Sequence, residues 1–166
     1  DGLSSETLTL LRESGFHARR PAVPEGAIAA ADAYSLRHTE GWHSLEVGPE
    51  LETWRWSARD RARIPLRTTL DPGRYTVRIA GLRQPHPHEN EMLSLWFEGH
   101  EEGRAGVLLT PGWFDVRLDL ELTKRLDDAA IILEHPTFQL PGDTTADPRF
   151  LGVMFHQLVV ERSEGA

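Results

Sequence analysis

Strict alternation over residues 113–122 constrains this chain more than any other feature of it. Phe114, Val116, Leu118, Leu120 and Leu122 fall on one side of an extended backbone, and Asp115, Arg117, Asp119 and Glu121 on the other. Successive side chains of a strand point to opposite faces, so this is a half-buried antiparallel strand with a solvated outer face. The same period places Tyr75, Val77 and Ile79 against Arg74, Thr76 and Arg78, after the turn Asp71-Pro72-Gly73. One strand earlier, Ile64, Leu66, Thr68 and Leu70 repeat it, and Leu93, Leu95 and Phe97 alternate with Met92, Ser94 and Trp96. Ala129 to Glu134 is a short apolar run of the central-strand kind. Val153 to Glu161 is apolar on both faces apart from His156 and Gln157, which predicts a strand deep in a sheet. Turn signals such as Pro111-Gly112 and Pro141-Gly142-Asp143 separate these runs. Eight or nine short strands without a sustained helical period predict an all-β, two-sheet antiparallel β-sandwich, most simply a jelly roll.

A chain of 166 residues is one domain by size and buries roughly 70 % of the surface its unfolded form exposes. The domain is read over 27–166, with 1–26 as an N-terminal segment and linker. Leu8, Leu10 and Leu11, between Ser4 or Ser5 and Gly15, read as a short helix, while Thr7 to Leu10 alternates as a strand would. Ala27 to Tyr34 is likewise a turn or two of helix or a first strand. No apolar run approaches the ~20 residues of a membrane span, so no membrane insertion is expected, and no secretory leader is read. A net charge of −8 with scattered arginines disfavours nucleic acid. The absence of cysteine removes disulfides, thiolate nucleophiles and cysteine-based zinc sites, and leaves the compartment open.

Three of the five tryptophans, Trp42, Trp54 and Trp56, lie within residues 42–56. Period two puts Glu52, Trp54 and Trp56 on one face and Thr53, Arg55 and Ser57 on the other. Aromatic faces flanked by carboxylate and guanidinium suit sugars, whose C–H faces pack on rings while hydroxyls pair with the charged groups. The plain structural alternative is that these rings are core. Trp96, on the less regular face of its strand, either stands exposed on an open sheet face or packs under a loop. Trp113 begins a strand and is expected to bury. Asp147-Pro148-Arg149 starts a tight turn, from which Arg149 points back towards Glu46 or Glu52.

Reactive constellations are sparse. His86, His88 and Glu91 invite comparison with a cupin metal motif, but Glu91 follows too soon and no late histidine completes the set. A solvated loop without a metal or other cofactor is the expectation. No Gly-x-Ser-x-Gly elbow occurs, and the pairs Glu89/Glu91, Glu101/Glu102 and Asp127/Asp128 read as solvated surface.

The set Gly41-Trp42, Glu46, Arg55-Trp56-Ser57, Trp113 and Asp147-x-Arg149-x-Leu151-Gly152 resembles an accessory β-sandwich domain. Such domains are attached to bacterial glycosyltransferases, methyltransferases and other proteins of surface-polysaccharide synthesis. The resemblance implies a jelly roll similar to carbohydrate-binding modules, non-catalytic, weakly binding glycan and working beside a catalytic partner domain. The expected ligand-binding residues are Trp54 and Trp96 as platforms, with Glu52, Arg55 and Arg149 as polar contacts. Two alternatives stand beside it. One is a docking or dimerisation domain with an apolar patch on the face of Trp54 and Trp56. The other is a cupin-like enzyme using His86, His88 and Glu91.

Overall fold

A computed structural model describes residues 29–33, 36–48, 53–83, 91–139 and 150–163. It contains strands β1 (Ala29–Asp32), β2 (Glu46–Val47), β3 (Thr53–Trp56), β4 (Arg61–Pro65), β5 (Gly73–Arg83) and β6 (Met92–Phe97). These are followed by β7 (Ala105–Leu108), β8 (Gly112–Leu122), β9 (Ala130–Glu134), β10 (Phe138–Gln139), β11 (Phe150–Leu151) and β12 (Val153–Arg162). One sheet has six strands, in the order β2-β3-β12-β5-β8 with β1 also on β12; the other has four, β4-β9-β6-β7; β10 and β11 form a ribbon. Every pairing is antiparallel. The expected two-sheet antiparallel sandwich is therefore what forms. Strands outnumber the expected eight or nine because β2, β10 and β11 are two residues each, too short to show a period. The alternation from Ile64 to Leu70 breaks at Pro65, where β4 ends, since proline has no N–H for a ladder. Within Ala27 to Tyr34, the strand reading holds for β1. The N-terminal segment 1–26 lies outside the described residues.

The core is the inner face of each sheet. Tyr75, Val77 and Ile79 of β5 and Phe114, Leu118, Leu120 and Leu122 of β8 meet Ile64, Leu93, Leu95, Phe97, Ile131 and Leu133 in one buried cluster. The ladder between β5 and β8 runs without a break from Gly73↔Leu122 to Arg83↔Gly112. On β12 the register slips between Phe155 and Gln157, so His156 is an extra residue. A bulge of this kind inverts the inside–outside parity beyond it. Val153 and Phe155 before it, and Leu158 and Val160 after it, consequently all reach the same core.

Met154 points the other way. It shares a smaller apolar cluster with Trp54, Trp56, Leu82 and Leu151, against which Trp113 packs. Trp56↔Met154, Met154↔Leu82 and Leu82↔Trp113 are cross-strand partners, so these residues form one row over β3, β12, β5 and β8. Trp42 ties the sheets together. It bridges to Ser57, its ring lies 5.4 Å from that of Phe155, and its indole N–H donates to the Arg63 carbonyl of β4 at 2.9 Å. Gly41 before it has φ 96°, and a Cβ there would sit 2.8 Å from the Arg61 carbonyl oxygen. Gly152 is packed more closely still: its Cβ would fall 2.1 Å from the Ser57 hydroxyl, which accepts the Val153 N–H at 3.0 Å.

Candidate functional site

The outer face of the four-stranded sheet carries the most organised polar cluster on the described surface. Alternation on β4 turns Ala62 and Ile64 inward and Arg61 and Arg63 outward; on β6 it turns Trp96 outward, and on β9 Ile132 and Glu134. Register then sets Arg63, Ile132 and Trp96 in one row, with Arg61 opposite Glu134 in the next. Thr39, Glu40 and Gly41, together with Arg59, close one side of a groove of about 320 Å³, whose lining also includes Arg61, Arg63, Trp96, Glu98 and Ile132. That volume is at the lower end of the ~300–1,000 Å³ usual for ligand sites.

Ion pairs fix the groove. Arg63 holds Glu98 at 2.8 Å and Glu40 at 3.4 Å, and the hydrogen bond it donates to Glu98 leads in raising its pKa above the ordinary guanidinium value. Arg61 holds Glu134 at 2.7 Å, and Arg104 holds Glu101 at 2.8 Å. The Arg104 and Arg61 guanidinium carbons lie 4.4 and 5.3 Å from the Trp96 ring centroid. Trp96 is only 3 % exposed, a floor beneath two cations instead of a bare platform. Ion pairs exposed to this degree are screened by solvent, so the network sets geometry more than stability. It presents guanidinium donors and carboxylate acceptors at fixed positions above an indole. That combination suits a neutral, hydroxyl-rich ligand, each of whose hydroxyls both donates and accepts.

The expected site residues do not converge. Trp54 is 2 % exposed on the opposite sheet, its indole N–H donating to the Glu46 carboxylate, so it offers no free ring face. Arg55 is half-buried and donates to the carbonyls of Ala33 at 2.7 Å and His43 at 3.1 Å. Its burial lowers the guanidinium pKa, with Glu40 opposing the shift. Glu52 and Arg149 lie outside the described residues. Of the three that are described, Trp96 alone is placed on the groove. The patch required by a docking domain is not at Trp54 and Trp56, since both rings are buried. Trp113 is half-buried against the second cluster.

For the cupin-like alternative, His86 and His88 lie outside the described residues, and Glu91 lies 2.7 Å from the Arg83 guanidinium. Among the described residues no group of three or more His, Cys, Asp or Glu side chains is placed to hold a metal ion. The residues that sequence reading passed over are Arg59, Arg61, Arg63 and Arg104 with their glutamates. Part of that signal was present: Arg59, Arg61 and Arg63 are spaced by two along one strand and its approach.

No protein-family profile and no curated protein sequence matches the chain. Solved structures share its fold. A family GH115 4-O-methyl-α-glucuronidase, BtGH115A, described as specific for decorated arabinogalactans, matches at TM-score 0.58 and 11 % identity. The match covers 87 % of this chain and 19 % of that one, so the chain spans about a fifth of the enzyme's length. The carbohydrate-binding module CBM6cm-2 of Cellvibrio mixtus lichenase 5A, solved with cellotriose, matches at TM-score 0.52 and 10 % identity, covering 83 % of this chain and 99 % of the module. The C-terminal CBM6 of LamC, a marine laminarinase from Zobellia galactanivorans, matches at TM-score 0.52 and 10 % identity, over 80 % and 98 %. At these identities the likeness establishes the fold. The chain is a β-sandwich of the jelly-roll kind found in carbohydrate-binding modules.

Proposed function

We propose that this domain is a non-catalytic carbohydrate-binding module that holds a glycan in the groove over Trp96. The observation carrying the reading is the groove itself, an indole floor roofed and flanked by guanidinium and carboxylate groups already fixed by one another. Both glutamates that line the groove, Glu40 and Glu98, are committed to Arg63, which suits them to accepting hydroxyls more than to trading protons with a substrate. The shared fold supports the reading, because two of the similar structures are modules of this size and one was solved with cellotriose. Binding is weak, since a shallow groove returns little net free energy after the ordering of ligand and side chains.

The resemblance of Gly41-Trp42 and Arg55-Trp56-Ser57 to accessory domains of polysaccharide-synthesis proteins supports a place for the module in such a protein, beside a catalytic domain. The test is titration calorimetry of the domain against a panel of soluble polysaccharides, with tryptophan emission followed in parallel. Heat and a spectral change that are both lost in Trp96→Ala support the reading. Silence across the panel sinks it.

A further inference from the structure

Arg61, Glu134, Arg104 and Glu101 form a closed ring of alternating charge above Trp96. The four contacts are 2.7 Å for Arg61–Glu134, 3.4 Å for Arg104–Glu134, 2.8 Å for Arg104–Glu101 and 3.5 Å for Arg61–Glu101. The two short contacts lie within separate structural units. Arg61 and Glu134 are directly paired residues of β4 and β9, so the sheet holds them together. Arg104 and Glu101 belong to one 3-10 turn on the connection between β6 and β7, in which the Arg104 N–H also donates to the Glu101 carbonyl. The two long contacts are what join these halves. The half on the turn also brings the nearer cation, with the Arg104 guanidinium 4.4 Å from the ring centroid against 5.3 Å for Arg61.

We propose that the turn carrying Glu101 and Arg104, beside the groove, is a hinged cover on Trp96, and that a glycan in the groove reaches the indole face by displacing it. The proposal rests on the carbohydrate reading of the groove and adds how that site is regulated. The Gly103 backbone of the turn is seated against that of Glu121 on β8 and serves as its pivot; swinging the Arg104 end outward about it breaks the two long contacts and the Arg104–indole contact, while both short pairs stay intact. Arg61 and Glu134 remain in the sheet as ligand contacts, and Trp96 gains a free face. A site competent only when open has its apparent affinity reduced by the fraction of time it is open. The long contacts join exposed or half-exposed groups, so salt screens them. Added salt therefore favours the open form and strengthens glycan binding, the reverse of what a charged ligand would show.

The experiment compares the domain with Arg104→Ala, and with Arg104→Ala combined with Trp96→Phe, by acrylamide quenching of tryptophan emission. The same proteins are titrated with cellohexaose and laminarihexaose at low and high sodium chloride. Arg104→Ala is expected to increase quenching, the added Trp96→Phe to abolish the increase, and affinity for the bound hexaose to rise about 3- to 10-fold. Unchanged quenching in Arg104→Ala overturns the cover. Increased quenching with weakened binding also overturns it, by making Arg104 a ligand contact. If quenching rises but neither sugar binds any of the proteins, the carbohydrate reading falls and its coupling to the cover falls with it, while the cover over Trp96 stands.

Discussion

Arg83 and Glu91 are joined across the two ends of the segment that separates β5 from β6, with Nε 2.7 Å from Oε2 and both side chains buried. The Arg83 guanidinium also donates to the Leu109 carbonyl. Glu91, the member of the His86-to-Glu91 set that invited a metal reading, is thereby committed to a structural ion pair. Desolvation makes such a pair costly to leave half-made. Glu91→Gln should lower unfolding free energy by about 3–5 kcal/mol. Joint replacement of the pair by Arg83→Met and Glu91→Leu should recover most of the loss. Urea unfolding followed by circular dichroism measures both, and a single variant as stable as the parent would show that the pair is not holding the segment.

His135 adds a pH dependence to the same cluster. Its Nδ1 lies 2.7 Å from the Pro136 carbonyl oxygen. Nε2 lies 3.1 Å from the Glu91 carboxylate. Burial lowers the ring's pKa below its ordinary value of about 6.5, as does the nearby Arg83 more weakly, while Glu91 and the Pro136 carbonyl oppose the shift. With the folded pKa depressed, the unfolded chain binds more protons below about pH 6.5. The stability of the neutral ring is thus present above that pH and is lost as pH falls through the window beneath it. His135→Gln should flatten the stability profile there. Equal slopes for parent and variant between pH 5 and 7 would assign the acid sensitivity elsewhere.

Gly152 and Ser57 test the scaffold. A methyl at position 152 would enter the Ser57 hydroxyl at 2.1 Å. Overpacking of this kind costs typically about 1–3 kcal/mol, so Gly152→Ala should destabilise by that order. Adding Ser57→Ala should return part of the loss by clearing the hydroxyl, although the Val153 N–H then loses its acceptor. Additive losses in thermal unfolding would mean that the two positions do not meet.

The sandwich was legible because period two is written into β5, β6 and β8, where one face is buried and the other wet. The parity change on β12 was not, because Val153 to Val160 is apolar on both sides and only pairing with β5 reveals His156 as the extra residue. The tryptophan concentration was visible, but not its division of labour. Trp42 ties the two sheets, while Trp54 and Trp56 lie buried on the outer face of the six-stranded sheet. Alternation predicts that Trp54 and Trp56 share a face but not what covers that face. The groove was hardest to read, because the distance from Arg104 to Trp96 depends on a turn between strands, and no local spacing encodes it.

Two arginines separate recognition from scaffold. Arg59 lines the groove, is exposed, and has no ion-pair or hydrogen-bond partner among the described residues. Arg55 spends its guanidinium on the carbonyls of Ala33 and His43. Arg59→Ala should change stability by no more than about 0.5 kcal/mol, as surface substitutions do. Losing a charged hydrogen bond to ligand, about 1.5–3 kcal/mol, should weaken glycan binding at least tenfold. Arg55→Ala should do the opposite, lowering the unfolding midpoint while the folded fraction binds with parental affinity. Calorimetric titration and denaturant unfolding of the two variants supply the four numbers. A loss of affinity in Arg55→Ala at full folding would move the ligand from the groove to the other sheet.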